Sequence, residues 1–73
     1  MSRPSKKDIQ EYVEENRLLA AFHRAEAALH DNTAREAAAG ITHETEEYLR
    51  LNQAAIEAGR RLPKRFRHLA EGV

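Results

Sequence analysis

From Ser5 to His30 the chain contains neither glycine nor proline. Gln10, Glu11, Glu14, Glu15, Arg17, Leu18, Leu19, Ala20 and Ala21 are all good helix formers, so this run predicts one long helix over about Lys6–His30. Ser5 is a suitable N-cap, Asp8 follows three positions later near the helix start, and Pro4 precedes the cap.

The apolar residues of this helix do not form one stripe. At about 100° per residue, Ile9, Val13 and Ala20 fall on one side. Leu18, Phe22, Ala25 and Leu29 fall nearly opposite, and Tyr12 and Leu19 lie between. One flat partner surface cannot cover both sides. Either the helix breaks near Glu15-Asn16, or two different surfaces contact it, one within the chain and the other a second copy or a foreign protein. Ile9, Tyr12, Val13 and Leu19 are the expected partner-binding face.

Beyond His30 the pattern predicts shorter pieces. Asp31-Asn32-Thr33 reads as a turn and Thr33–Ala39 as a short second helix, with Gly40 as its left-handed stop. Thr42 is the expected cap of a third helix, about His43–Ala58, whose positive start attracts Glu44, Glu46 and Glu47. Tyr48, Leu51, Ala55 and Ala58 share one face of it, and Leu49 and Ile56 flank that face. Gly59 is expected to end it, with Arg60 and Arg61 at the negative end of its dipole. Pro63 opens a last short helix, Pro63–Ala70, anchored by Leu62, Phe66 and Leu69. β-branched residues are few and never alternate, so strands are not expected. The expected fold is all-α: a small helical bundle forming a single domain over residues 1–73. Its long N-terminal helix packs antiparallel on a second long helix, with a short connecting helix and a short basic C-terminal helix. Residues 1–4 are expected as a flexible arm and 60–73 as a basic segment.

At 73 residues without Cys or Trp, and with two Phe and two Tyr, the chain has little with which to build a thick core. Its thirteen alanines suit thin, closely packed helices and leave stability to a homodimer or a protein partner. Nine Arg against three Lys, with abundant Ala, match a GC-rich bacterial genome. No apolar signal core follows Met1 and no stretch reaches membrane-span length, so a cytoplasmic protein without a membrane partner is expected.

The formal net charge is zero, but the charge is unevenly placed. Arg3, Lys6 and Lys7 make the start basic. Arg60, Arg61, Lys64, Arg65 and Arg67 make the C-terminal segment basic, and the stretch between is acidic. Solvated helix faces with basic tails explain such a pattern, as does contact with an anion such as nucleic acid. In the C-terminal segment Arg61, Arg65 and His68 fall at i, i+4, i+7, and Phe66 is placed to stack on a base or an arginine.

The stretch REAAAGITHETEEYL, residues 35–49, imitates a helix-turn-helix. Gly40, Ile41, Thr42 and Thr45 match the turn and the start of a recognition helix, and Ala37–Ala39 suit close packing. Two positions depart. Glu36 and Glu46 stand where that motif buries apolar residues, and an unpaired buried carboxylate costs several kcal/mol. Glu44, Glu46 and Glu47 would also repel a phosphate backbone. The expectation here is a helix stop and restart.

Chemistry-bearing clusters are sparse. His23, Glu26 and His30 share one side of the first helix, but the two histidines stand roughly 10 Å apart by helix rise, too far for one ion. His43 with Glu46 and Glu47 suits capping and dipole roles better than acid–base work. Ser2 and Ser5, the only serines, adjoin no base. No metal, cofactor or small-molecule substrate is expected. The first functional expectation is a non-enzymatic helical protein-interaction module, a bacterial regulatory or antitoxin-like accessory protein acting as a homodimer or with a protein partner. The alternative is a small DNA-binding regulator contacting phosphates through Arg3, Lys6, Lys7, Arg60, Arg61, Lys64, Arg65 and Arg67. A purely structural dimer is the third possibility.

Overall fold

The protein is a lopsided helical hairpin. The computed structural model describes residues 3–71; Met1 and Ser2 of the expected arm, and Gly72 and Val73 of the basic segment, lie outside them. Helix α1 spans Lys6–Ala38, 33 residues, or roughly 50 Å by helix rise. Helix α2 spans Glu46–Arg60, 15 residues, and a 3-10 helix follows over Lys64–Ala70. Among the described residues there is no strand.

The start of α1 follows local chemistry. Asp8 donates its backbone N–H to the Ser5 hydroxyl at 3.1 Å, and Ser5 donates its own to the Asp8 carboxylate at 3.2 Å. This closed capping box satisfies two N–H groups that a helix start leaves open. Its end is equally local. Gly40 has φ 77, Ile41 donates to the Glu36 carbonyl at 2.9 Å and Gly40 to the Ala37 carbonyl at 3.0 Å. That is a Schellman motif with glycine in the left-handed position it favours.

Between these ends the expected turn and separate second helix do not occur. α1 runs straight through Asp31-Asn32-Thr33. The helix absorbs the polar side chains that suggested a turn: the Thr33 hydroxyl donates to the Leu29 carbonyl at 3.0 Å, and Asn32 is buried. With no glycine or proline to interrupt the ladder, packing on α2 overrides the weak turn preference of these residues.

α2 also starts later than Thr42 suggests. Thr45 is its cap, accepting from Tyr48 N–H at 3.0 Å while its hydroxyl donates to the Glu36 carboxylate at 2.6 Å. Thr45 wins because Glu36 on α1 supplies a partner across the hairpin. Gly59 does not end α2. It lies buried within the helix, where an added Cβ would stand 2.7 Å from Ala70 Cβ and 3.5 Å from the Phe22 ring. α2 therefore continues to Arg60, because the bare backbone at Gly59 lets the 3-10 helix close in.

The contacts Thr45–Glu36, Gly59–Phe22 and Arg65–Glu15 run in opposite order on the two sides, so the helices are antiparallel. The core between them is small: Phe22, Leu29, Ala55 and Leu62 are its buried apolar residues. Leu62 is buried and Phe66 half-buried as the expected anchor requires, but Leu69 is 39% exposed. The threefold repeat of a 3-10 helix turns Ala70 toward Gly59 and leaves Leu69 outward. The molecule is a rod of 57 × 17 × 16 Å.

Candidate interaction surfaces

α2 and the 3-10 helix cover one side of α1 only. Phe22 and Leu29 face them and are 0% and 8% exposed. Among the described residues, the opposite side of α1 carries no other part of the chain. At its N-terminal end the helix projects beyond Glu15, which pairs with Arg65 of the C-terminal segment. Every residue from Lys6 to Glu14 is exposed.

Large apolar side chains stand on this projecting stretch. Ile9 is 51% exposed, Tyr12 69% and Val13 41%. Tyr12 and Val13 line a shallow depression with Asn16, Arg17 and Ala20. Leu19, the fourth residue of the sequence-derived face, is half-buried and lies on the border toward the core. Thus Ile9, Tyr12 and Val13 stand together on one free surface, and Leu19 only edges it. Leu49 on α2 is 49% exposed but sits on the other arm of the hairpin.

The basic residues gather on one half of the rod. Lys6 and Lys7 lie roughly 12–14 Å along α1 from Glu15 by helix rise, and Arg65 is paired to that Glu15. The two basic ends of the sequence therefore share the open half of the hairpin. Not all their charges point to solvent unengaged. The Arg65 guanidinium also lies 4.7 Å from the Phe66 ring centroid, and Arg67 Nε donates to the Leu62 carbonyl at 3.2 Å. Arg3, Lys6, Lys7, Arg60, Arg61 and Lys64 are exposed.

Acid outweighs base around the turn, whereas on the open half Asp8, Glu11, Glu14 and Glu15 stand among the basic residues. At the turn, Asp31, Glu36, Glu44, Glu46 and Glu47 stand with only Arg35 and Arg50. Arg50 holds Glu47 in a two-point pair at 2.5 and 3.1 Å, and that hydrogen bond holds the Glu47 carboxyl below its ordinary value. The helix-turn-helix imitation has no counterpart in the fold. Glu36 and Ala37–Ala39 belong to α1 and its end, so no second short helix crosses a first. Glu36 is neither buried nor unpaired, since Thr45 donates to it.

His23 and Glu26 approach to 3.4 Å. Among the described residues no group of three or more His, Cys, Asp or Glu side chains is arranged to hold a metal ion. Among the described residues no helix is long and apolar enough to cross a membrane.

Comparison of the chain with family models, with characterised proteins and with solved structures finds no match.

Proposed function

We propose that this protein is a non-enzymatic helical interaction module, a small regulatory or accessory polypeptide of the antitoxin-like kind, whose contact surface is the free face of α1. One observation carries the reading. Ile9, Tyr12 and Val13 stand exposed on a helical stretch that packs against no other element among the described residues. Aromatic and aliphatic side chains presented together on one helix face are the anchors from which helix-on-helix recognition is built.

Site-specific photo-crosslinking in cells tests it. A photoreactive residue at Tyr12 is expected to capture a protein partner, while the same residue at Gln53, on the outer face of α2, captures little. Equal capture at both positions, or none at either, removes the reading.

A second reading, a DNA-binding regulator, is supported by the gathering of Lys6, Lys7, Arg60, Arg61 and Lys64 on one half of the rod. It requires affinity that falls steeply with salt, because each neutralised phosphate releases counterions. A flat salt response, or no binding at low salt, rules it out.

A further inference from the structure

We infer that a second copy of this chain covers the free face of α1, running antiparallel to the first. The inference rests on the reading of that face as an interaction surface and names its occupant.

The first argument is area. The chain exposes 5917 Å², against roughly 4,600 Å² for a compact monomer of its 8.3 kDa by the scaling of folded surface with mass. The surplus of about 1,300 Å² matches what each partner gives up in an obligate dimer. Shape agrees: the radius of gyration is 16.1 Å, where a compact chain of this length has about 11 Å. Each copy carries the same surplus, so one contact removes both.

The second argument is charge. The formal net charge is zero, so two copies do not repel as wholes, yet base outweighs acid on the open half, where Asp8, Glu11 and Glu14 partly offset Arg3, Lys6 and Lys7, and acid outweighs base around the turn. A parallel pair would set the more basic half on its like. An antiparallel pair sets Lys6 and Lys7 at the level of Glu36, near the acidic turn of the other copy.

The third argument is fit. From Ile9 the free face recurs at the alternating four- and three-residue steps of a heptad, through Val13 and Asn16 to Ala34. Pairing the full lengths of two antiparallel α1 helices sets Ile9 against Ala34, Val13 against His30, Asn16 against Ala27 and, at the centre, Ala20 against His23. Each layer joins a larger side chain to a smaller one, and the Asn16 amide is satisfied within its own helix, donating to the Tyr12 carbonyl at 2.8 Å. The projecting stretch of each copy is then covered by the turn half of the other. One edge sets Arg17 beside Arg24 of the second copy, a contact that two long side chains relieve by turning into water.

Sedimentation velocity on the full chain tests this. The wild type is expected to be dimeric across a dilution series, and Val13→Asp monomeric with unchanged helical circular dichroism. Orientation is read from disulfides, because the chain has no cysteine of its own. Ile9→Cys and Ala34→Cys are expected to cross-link when the two variants are mixed and oxidised, and neither with itself. In the antiparallel pair each is roughly 37 Å from its own counterpart by helix rise. A wild type that stays monomeric at every concentration overturns the inference, as does an Ile9→Cys variant that links to itself. A monomeric chain that still captures another protein at Tyr12 keeps the interaction surface and removes the second copy. Loss of both results removes both.

Discussion

Gly59→Ala pits two effects of known size against each other. Alanine in a helix interior is favoured over glycine by about 1 kcal/mol, so on an exposed helix the change stabilises. At Gly59 the new Cβ stands 2.7 Å from Ala70 Cβ. Carbon atoms in good contact are about 3.5–4.0 Å apart, so the 3-10 helix must retreat by about 1 Å. Overpacking of this kind costs about 1–3 kcal/mol. The collision is expected to win, with a net loss of about 1 kcal/mol and a fall in Tm of roughly 4–8 °C for a domain of this size. Thermal unfolding at one fixed protein concentration measures it. The mechanism is checked by Ala70→Gly in the same chain. With that Cβ gone, the nearest neighbour of the new methyl is the Phe22 ring at 3.5 Å, an ordinary contact. The double variant should therefore be more stable than Gly59→Ala alone, with a coupling of about 1–2 kcal/mol between the two sites. A rise in Tm for Gly59→Ala, or strictly additive effects, would refute the claim that the 3-10 helix presses on this glycine.

Three further outcomes follow from the same structure. Asn32 is 3% exposed and its Nδ2 has no hydrogen-bond partner among the described residues, so Asn32→Leu should raise stability by about 1–2 kcal/mol in chemical denaturation; a loss would show that the amide is satisfied. Thr45→Ala removes both the α2 cap and the partner of Glu36, and should lower stability by about 1 kcal/mol while exposing the amide of Tyr48 to faster hydrogen exchange. The Glu47 carboxyl, held down by its hydrogen bond to Arg50, should titrate below its ordinary 4.5 by NMR, and Arg50→Gln should move it back up. Because the folded value is the lower one, the stabilisation is present above the ordinary value and is lost as pH falls through the folded one.

What could be read from the sequence was what neighbouring residues decide among themselves. Ser5 with Asp8, and Gly40 after Ala39, form their caps from residues a few positions apart, and both ends of α1 follow from them. The errors lie where a distant residue decides. Asp31-Asn32-Thr33 has turn-forming composition, but Asn32 is held in the helix by its burial against α2. Thr42 and Thr45 are equivalent as caps until Glu36, nine residues back from Thr45, supplies an acceptor for one hydroxyl. Gly59 resembles a helix stop because nothing near it in sequence announces Ala70. The opposed faces of α1 were legible, since periodicity alone separates Ile9 and Val13 from Phe22 and Leu29. Of the residues expected on the partner-binding face, Ile9, Tyr12 and Val13 stand exposed and Leu19 is half-buried; which face the chain covers is set by the lengths of its helices.

That coverage turns on the merged helix. Had α1 ended near His30, its length would have roughly matched that of α2 plus the C-terminal segment, and a bundle closed on several sides was possible. Running on to Ala38, α1 has 33 residues against 15 in α2 and 7 in the 3-10 helix. Two arms of such unequal length can share only part of their surface, and they share it on one side. The exposed Ile9, Tyr12 and Val13 are thus a consequence of topology: no remaining segment among the described residues is placed to reach them. Among the described residues, a core of four buried apolar side chains gives such a hairpin little stability by itself. The same feature that leaves the α1 face open therefore makes covering it favourable, and the state of association is the first property to measure.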